Sequence, residues 1–153
     1  MNGLHILAEF HACTGDRRLL LDAAPLAALC RRACAEAGLA VVAEAFHQFP
    51  AAGATGALVL AESHLAIHTW PELDAVTLDL YVCNYSQDNR AAAEAAYEAL
   101  KAEFKPQRVV RHDVEVVLVG QRHTGAEHVG VHVLDPGDEL TEIARALWFA
   151  MRR

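Results

Sequence analysis

Basic residues are scarce in this chain: 13 lysines and arginines stand against 20 aspartates and glutamates, a formal charge of −7 over 153 residues. An acidic field repels a phosphate backbone, which argues against a nucleic-acid partner. Long apolar runs are missing too. Although 54% of the residues are hydrophobic, no stretch approaches the roughly 20 that a membrane span needs. The start, Met1-Asn2-Gly3, has neither a basic region nor a cleavage site of a secretory signal, so a cytoplasmic protein without a membrane partner is expected. Cysteines are few, at 13, 30, 34 and 83, and none are in CxxC spacing; in a reducing compartment, thiols rather than disulfides or zinc knuckles follow. Absent as well are a glycine-rich phosphate loop, HExxH and GxSxG.

What is present suits one compact domain, residues 1–153, with a sizeable core. Leu4, Ile6, Ala8 and Phe10 alternate with His5, Leu7, Glu9 and His11, the period of a strand with one face on a core. Residues 22–37 read as a helix that Asp22 caps and Gly38 stops, with Leu26, Leu29, Cys30, Ala33 and Ala37 on one face. Extended pieces follow at 39–49, 56–61 and 76–83. A second helix runs from a cap at Asp88 to about Phe104, then come strands at 109–119 and 129–134. Leu140, Ile143, Ala144, Leu147 and Met151 mark an amphipathic helix within a C-terminal extension, 124–153. The order β-α-β-β-β-α-β-β-α predicts an α+β fold, a two-layer sandwich with helices packed on one face of a largely antiparallel sheet.

The chemistry concentrates in Glu62-Ser63-His64-Leu65-Ala66-Ile67-His68-Thr69-Trp70-Pro71-Glu72. His64, His68 and Cys83 are proper zinc ligands. Yet a histidine pair four apart serves a metal best on a helix, and this segment is rich in strand formers, so no metal is expected. Ser63 beside a carboxylate and two histidines also suggests a serine hydrolase, but the glycine-flanked turn that presents such a serine is missing. Strict alternation puts Ser63 and His68 on opposite faces, which predicts a bent or broken sheet here. Cys83, by the alternation of 76–83, lies off the main core, where a thiol can meet a ligand.

That core motif, preceded by Phe46-His47-Gln48-Phe49-Pro50 and Gly53-Ala54-Thr55-Gly56 and followed by a strand ending at Cys83, resembles the short prokaryotic S-adenosylmethionine decarboxylases. Leu4 to Phe10 and Leu78 to Cys83 support the likeness at both ends, and it covers about residues 4–118. The resemblance implies a self-processing enzyme. The Ser63 hydroxyl attacks the carbonyl of Glu62, the chain opens into 1–62 and 63–153, and Ser63 becomes a pyruvoyl group. That cofactor forms a Schiff base with the substrate amine, without pyridoxal phosphate or metal, and accepts electrons as carbon dioxide leaves. His68 matches the base of the processing step, Cys83 the proton donor in turnover, Phe49 and Trp70 the aromatics that stack on adenine, and Glu72 the carboxylate that holds the ribose hydroxyls. Thr55 stands where the family commonly has serine, and it keeps the hydroxyl for processing. The loop 50–52 lacks the larger side chains usual there.

The resemblance further implies decarboxylation of S-adenosylmethionine for spermidine biosynthesis, by a homodimer of cleaved protomers with sites built across the subunit boundary. Two alternatives stay open. Some relatives decarboxylate L-arginine or L-ornithine, and an unprocessed homologue would act as a binding or regulatory subunit.

Overall fold

The computed structural model describes residues 2–120 and 129–133. In chain order it contains β1 (Asn2–Cys13), α1 (Arg18–Leu21), α2 (Ala23–Glu36), β2 (Val41–Gln48), β3 (Ala54–Leu60), β4 (Ser63–Trp70), β5 (Ala75–Cys83), α3 (Arg90–Phe104), β6 (Pro106–Gly120) and β7 (Val129–Val133). The strands make one sheet of seven in the order β2-β3-β4-β5-β1-β6-β7, with every neighbouring pair antiparallel. Both long helices lie on the same face, α2 over β2 and β3, α3 over β1 and β5, and they touch each other. The two-layer α+β architecture is therefore as the sequence predicts. The terminal helix expected around Leu140 to Met151 lies outside the described residues.

Alternation explains the core. Leu4, Ile6, Ala8 and Phe10 of β1 meet Leu58 and Leu60 of β3, Leu65 and Ile67 of β4, and Val76, Leu78, Leu80 and Val82 of β5 beneath the helices. From above, α2 supplies Leu26, Leu29, Cys30, Ala33 and Cys34, and α3 supplies Ala93, Ala96, Tyr97, Leu100 and Phe104. Each fully buried Leu, Ile or Phe contributes about 1.5–3 kcal/mol. Cys30 and Cys34 pack as small apolar groups, and burial pushes their thiols up to about 12 and about 11. Gly38 stops α2 as expected: its φ is +80°, and the bonds Gly38 N–H to Ala35 carbonyl and Leu39 N–H to Cys34 carbonyl form a Schellman end.

Four details differ from expectation. Residues 63–70 form a full strand, because Leu65, Ile67 and Thr69 face the core while the residues between them do not. One turn of helix, α1, precedes α2 and is too short to leave a periodic signature. Asp22 and Asp88 were the expected caps, but Asp22 makes no side-chain capping bond; the first N–H of α2 goes to Gln48 Oε1 at 2.6 Å. The cap residue of α3 is Asn89, while Asp88 accepts the Arg90 N–H at 3.0 Å. Finally, the sheet is not broken within β4: its ladder runs from Ser63 to His68 against β3 and from Ser63 to Trp70 against β5. The irregularity sits at the strand's first residue, where Ser63 has a φ of +138°.

Among the described residues, none covers the face opposite the helices. It carries His5, Leu7 and Glu9 of β1, His64, Ala66 and His68 of β4, and Thr77, Asp79 and Tyr81 of β5, all half-buried. Strand order also interleaves the two halves of the chain. Residues 1–62 supply β1, β2 and β3, and β1 lies between β5 and β6 of the other half. A chain opened between Glu62 and Ser63 is thus expected to elute as one particle in native buffer and to separate only in denaturant. Separate elution without denaturant would contradict the interleaved order.

Candidate active site

Ser63 and His68 do not meet in this chain. They are five positions apart on a strand paired along both edges, and at a rise of about 3.3 Å per residue they lie roughly 16 Å apart along it. Alternation also turns His68 to the open face, opposite to Leu65, Ile67 and Thr69. The expected site residues accordingly fall into two groups at the two ends of the sheet.

At the first end, β3 and β4 form a hairpin whose loop is Ala61 and Glu62, with Leu60 paired to Ser63. The Glu62 carbonyl, the electrophile of the expected attack, accepts the Cys83 N–H at 3.0 Å. The Glu62 carboxylate accepts the N–H of Tyr85 at 3.1 Å, the N–H of Ser86 at 3.2 Å, the Ser86 hydroxyl and the Asn89 amide at 3.0 Å. The Ser86 hydroxyl foremost, helped by those other donors, holds this carboxyl below its usual range. Ser63 follows at a φ of +138°, a region that residues with a Cβ rarely occupy and that costs of order 1–3 kcal/mol. Cys83 closes β5 directly beside it, with Val82 paired to Ser63.

At the other end, Thr55 pairs with His68 across the β3–β4 ladder, and Thr55 Oγ1 lies 2.6 Å from His68 Nδ1. Burial lowers the His68 pKa below its ordinary 6.5, against a smaller upward pull from Asp79. The imidazole is thus neutral at neutral pH and able to take a proton. Phe49, Trp70, Glu72, Thr55 and His68 line one groove of about 650 Å³. At its mouth Phe49 and Trp70 remain 44% and 39% exposed, enough ring surface to receive a flat ligand. Ala52 of the loop 50–52 lines the groove too.

The loop that carries Phe49 is pinned by a residue that sequence reasoning passed over. Gln48 Nε2 lies 2.9 Å from the Leu21 carbonyl, 3.0 Å from that of Gly53 and 3.2 Å from that of Phe49. Gly53 has a φ of +91°, and a Cβ there would come within 3.1 Å of Pro71, so the loop requires glycine. Thr69 ties the same region to α1, accepting the Ala54 N–H and donating to the Leu20 carbonyl, both at 2.8 Å. A glutamine before an aromatic was a visible signal; its tie to Leu21, 27 residues away, was not.

Between the two ends, on the open face, Asp79 Oδ1 lies 2.7 Å from His5 Nε2 and 3.3 Å from His64 Nε2, with the Tyr81 ring packed against both imidazoles. Burial opposes charge on Asp79, but His5 and His64 outweigh it and keep the carboxyl low. Among the described residues these three side chains form the group spaced to hold a metal ion. The set weighed from sequence, His64 with His68 and Cys83, is not brought together.

The chain matches the family model described as S-adenosylmethionine decarboxylase over residues 4–115. It is 39% identical over 111 residues to the S-adenosylmethionine decarboxylase proenzyme of Thermotoga maritima, a match covering 72% of this chain and 82% of that protein. The proenzyme of Thermoplasma volcanium is 35% identical over 131 residues, 85% of this chain and 96% of its own. Among solved structures, the adenosylmethionine decarboxylase from Aquifex aeolicus VF5 superposes with a TM-score of 0.65 at 32% identity, covering 72% of this chain and 87% of that one.

The positive φ at Ser63 has a measurable cost. Ser63→Gly and Ser63→Ala both remove the hydroxyl, but only glycine tolerates this backbone. Strain relief of about 1–3 kcal/mol exceeds the roughly 0.5–1 kcal/mol that glycine loses through its unfolded freedom. In urea unfolding the glycine variant is expected to be the more stable by about 1 kcal/mol. Equal midpoints would show that Ser63 is unstrained.

Proposed function

The chain belongs to the S-adenosylmethionine decarboxylase family, and from that premise we propose that it decarboxylates S-adenosylmethionine with a carbonyl group made from its own Ser63. The observation that carries this reading is the scissile turn: a strained serine follows a carbonyl already held by a backbone N–H. In maturation, Ser63 Oγ adds to the Glu62 carbonyl carbon, the C–N bond breaks, and the acyl group rests on oxygen. Loss of the α-proton of residue 63 then breaks the Cβ–O bond and frees Glu62 as a carboxylate. The remaining enamine takes up water and loses ammonia, leaving a pyruvoyl group at the start of 63–153. Residue 63 fits that group, because the cut removes its nitrogen and makes its Cα a planar ketone carbon, so the φ torsion that strains the serine no longer exists. The cut also falls in a hairpin loop, so the ladders of β3 and β4 survive it.

Bound at that position, the pyruvoyl group supplies a ketone for the substrate amine and an electron sink for the carboxylate's departure. The chain's own residues do the rest. Cys83, next to residue 63 across the ladder, returns a proton to the carbon that lost carbon dioxide. Phe49 and Trp70 hold the adenine between their exposed rings, Glu72 accepts from the ribose hydroxyls, and the aromatic faces attract the sulfonium.

Because Ser63 and His68 sit at opposite ends of β4, we assign each complete site to two chains. Packing the open faces of a homodimer around a two-fold axis near the middle of β4 lays one protomer's His68 end over its partner's Ser63 end. His68 and Thr55 of one chain then serve the cut in the other, and the groove of one chain faces the Cys83 of the other. Sheets stacked about 10 Å apart leave room for a ligand at the ends.

Intact mass is expected to show fragments 1–62 and 63–153, with carbon dioxide released from S-adenosylmethionine in preference to arginine or ornithine. A single full-length species without turnover would refute the enzyme reading. The two-chain site is tested by making Ser63→Ala and His68→Ala chains together. Neither is expected to be cut alone, whereas in the mixture the His68→Ala chain opens, since its own Ser63 meets an intact imidazole from the other copy. No cutting in a mixture that forms mixed dimers would place both groups' work within one chain.

A further inference from the structure

We propose that Asn89 is a positioning residue for the self-cleavage, clamping the Glu62 carboxylate together with the Ser86 hydroxyl so that the Glu62 carbonyl stays on the Cys83 N–H while Ser63 attacks. This rests on the self-cleaving reading above. Asn89 stands at the N-cap of α3, where an asparagine side chain ordinarily accepts an N–H from the next turn. Here no side-chain capping bond forms. Its Nδ2 instead donates to Glu62 Oε2 at 3.0 Å and to the Cys83 carbonyl at 2.8 Å. Its Oδ1 accepts from Gln87 Nε2 at 3.0 Å, and its backbone N–H donates to Asn84 Oδ1 at 2.9 Å. Only 5% of Asn89 is exposed, so it cannot exchange these partners for water.

One amide thus ties together the residue whose carbonyl is attacked and the residue whose N–H polarises that carbonyl, and fixes both to the start of a 15-residue helix. The need is physical. Attack by the next residue's hydroxyl closes a five-membered ring, which demands that the carbonyl carbon keep its angle to Ser63 Oγ. A glutamate in a two-residue hairpin loop would otherwise swing with the loop. Anchoring its side chain by four donors holds its main chain, and a bond from the Cys83 N–H that is in place before the attack stabilises the oxyanion as it forms.

The test follows cutting of freshly synthesised full-length chain by intact mass. Asn89→Ala is expected to slow cleavage about tenfold, and Ser86→Ala, at an exposed position that leaves folding intact, severalfold. If both act through the Glu62 carboxylate, then in a Glu62→Ala chain neither causes a further loss, whereas general loosening of the fold would add to it. Cutting at the unaltered rate in Asn89→Ala and Ser86→Ala, or full additivity with Glu62→Ala, overturns the clamp alone. An unaltered chain that stays whole overturns the self-cleaving reading and the clamp with it.

Discussion

A strand hydrogen-bonded on both edges cannot fold back on itself, and β4 is bonded to β3 and β5 from its first residue onward. That constraint organises everything else in the molecule. It fixes Ser63 and Cys83 at one end of the sheet and Thr55, His68, Phe49, Trp70 and Glu72 at the other. In the two-chain site proposed above, a second open face is what would bring the two ends into register. A chain whose nucleophile and base shared one end would have no chemical need of a partner. This one has its groups sorted by the pleat.

The same strand sets the conditions for strain. A positive φ at a residue with a Cβ persists only where its surroundings over-determine it. Here Ser63 is held by ladder bonds on one side, while the preceding residue is held by its carbonyl and its carboxylate together. Neither constraint alone would suffice. A free loop would relax the serine, and a relaxed serine would lose the approach to the carbonyl. In the proposed maturation residue 63 becomes a planar keto carbon and the strain loses its seat, while the interleaving of β1 between β5 and β6 would keep the opened chain together.

Much of this was legible in the sequence, for identifiable reasons. The alternation of β1 and β5 and the apolar faces of α2 and α3 report burial directly, because side-chain direction follows backbone period. The candidate site residues were legible from the motif from Glu62 to Glu72 and from Phe49, Thr55 and Cys83 around it. Their division into two ends was not. The motif drew attention to its histidines and hid the alternation of Leu65, Ile67 and Thr69, so β4 was not counted as a strand and a bend was expected in its place. Asn89 and Gln48 escaped for another reason. Each has a partner 27 residues away, Leu21 for Gln48 and Glu62 for Asn89, and Asn89 was hidden by the capping signal of its neighbour Asp88.

Covering the open face has an electrostatic condition that the chain meets internally. An isolated carboxylate taken out of water costs several kcal/mol unless paired. Asp79, near the middle of that face, has His5 and His64 on one oxygen at 2.7 and 3.3 Å, and Tyr81 packs on both rings. The carboxylate is therefore satisfied before any second sheet arrives. Around it stand Leu7 and Ala66, apolar and half-buried, so the second copy proposed above would meet hydrocarbon with a charge already paired. Polar groups stand instead at the margins, with Glu72 at one end and the Glu62–Ser63 turn at the other, where the proposed reading puts the substrate.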